Sequence, residues 1–373
     1  MAPQNSALIQ QMFRGAERGR AFGFFGATVG ISSAAGPLTG GAILALAEGS
    51  DGWRWIFFVN VPIGVLAVLL GLRLLPRVER SGRGSVDVAG IALLGLGVLA
   101  VMYPLVQADA GGIGRLWWLF PVGAVLLALF IRRQFRLVAR DAQPLLDPRL
   151  FTTVRGYAVG AGVGTLYFIG FSGVWLVFAL FYQGGLDFTP LKSGLAVTPF
   201  ALGSAAAAVV AGRLVDRFGR LLTVCGLSAV ILGMGGAALL LWLVTDDVAP
   251  WVAAPALFVA GIGGGFVVSP NITMTLRDVP VRMAGAAGGA LQTGQRLGAA
   301  VGTAALPGIY YLVLGGTDHY RTALVTALGV ALVGMAASLA LATADWLRDR
   351  GGDASGRRCP DEVANSPVHS RQG

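Results

Sequence analysis

The sequence predicts an all-α polytopic membrane protein with about ten transmembrane helices. Three observations carry that prediction. Long apolar runs lack ionisable residues, the 373 residues average a mean hydropathy of +0.71 with only 13% charged, and the basic residues gather in alternate gaps between the runs. About 20 apolar residues cross a hydrocarbon layer of about 30 Å, and lipid offers the backbone no hydrogen-bond partner, so each open-ended span must be a helix.

The first run, 21–47, contains no ionisable residue. Pro37 removes one ladder hydrogen bond and bends it, while Gly36, Gly40 and Gly41 remove side chains and let another helix approach closely. A short external turn with Glu48 and Asp51 leads into the second run, 55–75. Further apolar helices are expected at 86–107, 116–134, 156–182, 193–213, 221–244, 250–275, 284–308 and 322–344. Residues 135–155, with Pro144 and Pro148, form the longest internal polar stretch and read as a cytoplasmic linker. Residues 347–373, rich in Gly, Ser and charge, read as a disordered cytoplasmic tail.

The net charge is +9, which on composition alone suggests a nucleic-acid partner. Placement argues otherwise. Most of the 28 Lys and Arg lie in one set of gaps, including Arg14, Arg18 and Arg20, then Arg73 to Arg83, Arg132 to Arg155, Arg213 to Arg220, Arg277 and Arg282. The alternate gaps hold only Arg54, Arg115, Lys192 and Arg321. The positive-inside rule therefore puts both termini in the cytoplasm and makes the lipid bilayer, not nucleic acid, the partner. Cys225 lies in an apolar helix and Cys359 in the tail; with His319 and His369 they build no ordinary zinc site, and no metal or cofactor is expected. Met1 to Arg20 lacks a basic segment ahead of an apolar one, so a cleavable signal peptide is not expected there.

Gly23, Ser32, Gly36, Pro37, Gly40 and Gly41 follow the spacing Gly, eight residues, Gly, three residues, Gly-Pro, two residues, Gly-Gly, with Ser32 as a small substitute. That pattern resembles the antiporter motif of the major facilitator superfamily. The segment Trp53 to Gly64 resembles the turn and sixth helix of its fourteen-helix drug:proton antiporters. Gly212 to Arg220 resembles the superfamily's cytoplasmic loop motif, Gly-x-Leu-x-Asp-Arg-x-Gly-Arg, in its second-half copy. The resemblance implies a major facilitator fold lacking the first four helices of a fourteen-helix member, an N-terminally truncated copy. Residues 1–75 would be a remnant of the N-terminal bundle, 76–134 the extra helix pair, 135–155 the linker and 156–346 the C-terminal six-helix bundle. The implied activity is proton-coupled export of drugs or other amphipathic small molecules across the plasma membrane by alternating access. Two alternatives are a non-transporting truncated membrane protein and a polytopic membrane enzyme; the enzyme would need clustered His, Asp or Glu at an interface, which the two histidines do not supply.

In the loop motif of Gly212, Asp216, Arg217, Gly219 and Arg220, the glycines permit a tight reversal and Asp216 can accept hydrogen bonds from a neighbouring helix end while pairing with an arginine; the family reading is a latch between bundles. Arg296 is the one charge well inside a predicted span, with Gln292 on the same face. A membrane-embedded arginine is expensive and marks an interior, a cavity or a structural lock that snorkels or binds carbonyls. Tyr167, Phe171 and Trp175, among the aromatics of 156–182, and Asn271 are candidates for a substrate cavity. Gly261 to Gly265 mimics a dinucleotide loop, but with no strand before it, it reads as helix packing. A proton-driven antiporter needs an embedded carboxylate, and no Asp or Glu lies deep in these helices. In the resembling family the proton-linked acid and arginine stand in the first and fourth helices, which this sequence does not contain.

Overall fold

Backbone groups inside a bilayer must be satisfied within their own segment, and the described parts of the chain accordingly form helices without a strand. The structure is a computed structural model describing residues 52–74, 87–107, 112–140, 142, 144–154, 156–244, 248–280, 283–317 and 319–356, with scattered positions between 9 and 46. The described positions within the first predicted span, among them Phe24, Ser32, Gly36, Gly40 and Leu46, are helical; Gly23 and Pro37 lie outside the described residues.

Two consecutive helices, α1 (Trp53–Phe58) and α2 (Asn60–Leu74), make one membrane-length segment that buries no residue. Next, α3 (Val88–Val106) pairs with α5 (Leu119–Ala139), with the short α4 (Gly112–Arg115) between them. The last turns of α5 carry Arg132, Arg133 and Arg136, so its apolar part is shorter than its helical part. One turn, α6 (Arg149–Thr152), sits in the linker, and its Leu150 is fully buried against Tyr157, Ile272, Leu276, Val279, Ala287 and Leu291. That plug joins this turn to the helices that follow.

The bundle has six membrane-length segments. The first is broken: α7 (Tyr157–Phe171) and α8 (Val174–Ala179) are followed by a π-helical turn, Leu180–Gly185. The remaining five are α9 (Pro190–Phe218), α10 (Arg220–Leu243), α11 (Ala249–Leu276), α12 (Ala284–Thr317) and α13 (Tyr320–Gly356). Helix α11 packs between α9 and α10, α7 contacts α11, α12 and α13, and α3 rests against α12. Small residues permit this closeness. A Cβ built on Gly263 would stand 2.5 Å from the Gly226 carbonyl oxygen, and one on Gly265 2.5 Å from that of Ser204; one on Gly261 would overlap the Phe200 carbonyl. The glycine run is therefore helix packing, by which backbones rather than side chains meet.

Helix ends differ from those expected from hydropathy. Helix α12 continues to Thr317 and α13 to Gly356. The first ten residues of the expected disordered tail, 347–356, are thus helical. Residues beyond 356 lie outside the described residues.

Candidate functional site

The loop motif at the junction of α9 and α10 is split between burial and exposure. Gly219 has φ +50°, a conformation that favours glycine, and it turns the chain so that Arg220 opens α10. Asp216 and Arg217 are exposed, whereas Arg220 is only 4% exposed. Its Nε donates to Asp345 Oδ2 at 2.8 Å, one terminal nitrogen donates to Asn271 Oδ1 at 2.7 Å, and the other reaches the Gly156 carbonyl at 3.4 Å. Asn271 Nδ2 in turn donates to the Gly160 carbonyl at 2.9 Å. One guanidinium thus ties α7, α10, α11 and α13 together, all its branches engaged. Charge-assisted bonds of this kind offset the cost of burying the charge.

Asn271, a cavity candidate from its polarity near a helix end, is 1% exposed and holds Arg220. Asp345, read from sequence only as a residue at the last helix end, is the other half of the clamp. Arg296 is exposed on α12 and forms no ion pair among the described residues, while Gly294 and Gly298, two residues to either side of it, pack against Thr165. Gln292 is part-buried one turn earlier.

A second ionic cluster lies where α3 meets α5. Asp87 accepts hydrogen bonds from Gly90 N at 2.9 Å, Arg133 Nε at 2.9 Å and Gln134 Nε2 at 3.0 Å. Gln134, 1% exposed, also accepts from Leu146 N at 3.2 Å, which ties the linker to the helix pair. The Arg133 hydrogen bond is the main reason the Asp87 carboxyl is held below the ordinary aspartate range, and desolvation opposes it.

The glycines of the first span lie against α9. A Cβ on Gly41 would stand 2.9 Å from Leu191 Cα, whereas Gly36 and Gly40 have nothing within 4 Å of theirs. The open side of Gly36 and Gly40 faces a cavity of about 500 Å³ shared with Ser32, Trp175, Gln183, Ser193, Thr198 and Phe200. At the other end of α9 a cavity of about 510 Å³ is lined by Arg20, Phe24, Val209, Gly212, Arg213 and Asp216. Gly41 meets the start of α9 and Arg20 its end, so the first span runs antiparallel along this helix.

Of the aromatic candidates, Trp175 lines the cavity of about 500 Å³, and Phe171 stands behind it at 5.4 Å between ring centroids. Tyr167 is 1% exposed and stacks on Phe171 at 4.9 Å, so it supports the wall without forming its surface. Phe200, Gln183, Ser193 and Thr198 were not singled out from sequence. The polar positions Ser193 and Thr198 within an apolar span were the signal that could have pointed to them.

A family model described as Major Facilitator Superfamily matches residues 1–303. The chain is 34% identical over 325 residues to a probable actinorhodin transporter of Streptomyces coelicolor, covering 84% of this chain and 55% of that protein. It is 34% identical over 316 residues to a puromycin resistance protein of Streptomyces alboniger, covering 82% and 60%. A tetracenomycin C resistance and export protein of Streptomyces glaucescens is 30% identical over 315 residues, covering 82% and 55%. The chain thus spans little more than half the length of these curated relatives.

Proposed function

The chain belongs to the major facilitator superfamily, and from that premise we propose that it forms the carboxy-terminal part of a fourteen-helix, proton-coupled exporter of amphipathic small molecules in the plasma membrane. It is a multi-pass membrane protein. Residues 156–346 act as the second six-helix bundle, 76–134 as the extra helix pair, and the basic loops face the cytoplasm with both termini. The observation that carries the reading is the antiparallel seam between the first span and α9. At one end Gly41 brings backbone against backbone, and at the other Arg20 and Asp216 share a cavity.

Alternating access needs two rigid bodies and a seam that opens at one end as it closes at the other. The Arg220 clamp supplies rigidity to the second body by joining four of its helices at the basic end. Gly41 against Leu191 serves as the pivot. Asp216 is exposed and free to attract Arg20 when that end closes, which is the latch expected of the loop motif. The embedded carboxylate that proton coupling requires is not supplied by the described helices of this bundle, and in this reading it is contributed by the first bundle.

The experiment is accumulation of puromycin, ethidium and the uncharged 1,4-dihydroxyanthraquinone in a bacterial strain stripped of its own exporters. Cells expressing the protein should hold less of at least one compound, and a protonophore should abolish the difference. Equal accumulation with and without the protein, at verified membrane expression, overturns the exporter reading; a difference that survives the protonophore overturns the proton coupling alone.

A further inference from the structure

We propose that the 500 Å³ cavity between the first span and α8 and α9 is a slot for uncharged, flat, polycyclic aromatic molecules. The inference rests on the exporter reading and adds the chemical class of the cargo.

The two walls differ in kind. On one side stand the rings of Trp175 and Phe200, 4.7 Å apart between centroids and at 67° to each other. Phe171 braces both, at 5.4 Å from Trp175 and 5.5 Å from Phe200. On the other side are Ser32, Gly36 and Gly40, where helix backbone replaces side chains and no atom lies within 4 Å of a Cβ position on either glycine. An aromatic wall facing a backbone wall leaves a space that a planar ring system fills best, stacked on the indole with its far face against the glycines.

Charge decides the rest. None of the described lining residues is ionisable, and the whole of 21–47 contains no ionisable side chain. The nearest charges in sequence are Arg54, Asp187 and Lys192; all three are exposed and none lines the slot, the Arg54 guanidinium lying 5.6 Å from the centroid of the Trp53 ring and the Lys192 ammonium 3.6 Å from that of Phe188. A cation entering here would shed water with no counter-charge to replace it, whereas a neutral molecule needs only hydrogen bonds.

Those are available. Ser193 is 5% exposed, and its hydroxyl has no hydrogen-bond partner among the described residues. The Gln183 amide, on the π-helical turn, and the Trp175 indole N–H are likewise unpartnered. Thr198, by contrast, already donates to the Gly194 carbonyl at 2.9 Å. Phenolic hydroxyls or ring carbonyls at the edge of a flat molecule would find both a donor and an acceptor around the rim.

The test uses the purified full chain in detergent with two flat probes that differ in charge: 1,4-dihydroxyanthraquinone, uncharged, and ethidium, a permanent cation. Equilibrium dialysis should give saturable binding of the anthraquinone that excess ethidium does not displace. Trp175→Ala should weaken it about tenfold and Gly40→Leu, which fills the slot, at least as much, while Leu232→Ala on the outer face of α10 leaves it unchanged. A reporter guards against misfolded variants. With Cys225→Ala and Cys359→Ala in place, Ser193→Cys should react with N-ethylmaleimide severalfold more slowly when the anthraquinone is present. Binding indifferent to Trp175→Ala and Gly40→Leu, equal displacement by ethidium, or no protection of the thiol overturns the slot. Because binding is read without transport, these failures leave the export measurement standing, and failed export leaves the slot standing as a binding site.

Discussion

Arg220 Nε and Asp345 Oδ2 lie 2.8 Å apart although 125 residues separate them, and neither side chain is more than 12% exposed. The pair closes the basic end of the bundle by linking the first residue of α10 to the far part of α13. Breaking a buried pair from one side leaves a charge without its partner. Arg220→Met is therefore expected to lower stability by about 3–5 kcal/mol, and Arg220→Met with Asp345→Leu to recover much of that loss. Thermal unfolding in detergent checks both, and a double variant as unstable as the sum of the singles would deny the coupling.

Gly263 and Gly329 separate packing from propensity. Gly263→Ala drives a methyl toward the Gly226 carbonyl and should cost roughly 1–3 kcal/mol. Gly329 on α13 has nothing within 4 Å of its Cβ position, so Gly329→Ala should be neutral or stabilise by about 0.5–1 kcal/mol. The same unfolding measurement reads both.

The seam against α9 makes a similar contrast between adjacent residues. Gly41→Val inserts a branched side chain where Leu191 Cα stands 2.9 Å from a Cβ position, while Gly40→Ala meets open space. Export should fall strongly in the first and little in the second at equal expression, as measured by drug accumulation.

Arg20 and Asp216 line one cavity at the basic end of that seam. Asp216→Arg places like charges across it and should slow export. Adding Arg20→Asp should restore most of the rate, because the swapped pair attracts again. A double variant no better than the single would remove the latch from the mechanism.

Asp87 gives a pH dependence. Its carboxyl titrates below the ordinary aspartate range because Arg133 favours the ionised form. A depressed folded-state pKa contributes stability above the unfolded value and loses it as pH falls through the folded one. Asp87→Asn retains an acceptor for Gly90 N but no charge. It should cost up to about 1 kcal/mol at neutral pH, since Arg133 is 41% exposed. The difference from the unsubstituted protein should vanish as pH drops below the aspartate range, read by melting temperature across pH in detergent.

What the sequence by itself determined is the partition of the chain between lipid and water. Hydropathy over a span of about 20 residues reports the free energy of a local segment, so the six membrane-length segments after the linker, the packing role of Gly261 to Gly265 and the tight turn at Gly219 were all legible. Which polar residues meet was decided only by how the helices cross. Arg220 sits among exposed basic neighbours in the chain, and only the approach of α11 and α13 buries it on Asn271 and Asp345. Arg296 lies deep in an apolar run, yet it stays exposed on α12. The slot, too, needs Gly36 and Gly40 from one helix opposite Trp175 and Phe200 from two others. No periodicity along a single segment encodes such a meeting, because the contacts depend on rotation and tilt of rigid helices far apart in the chain.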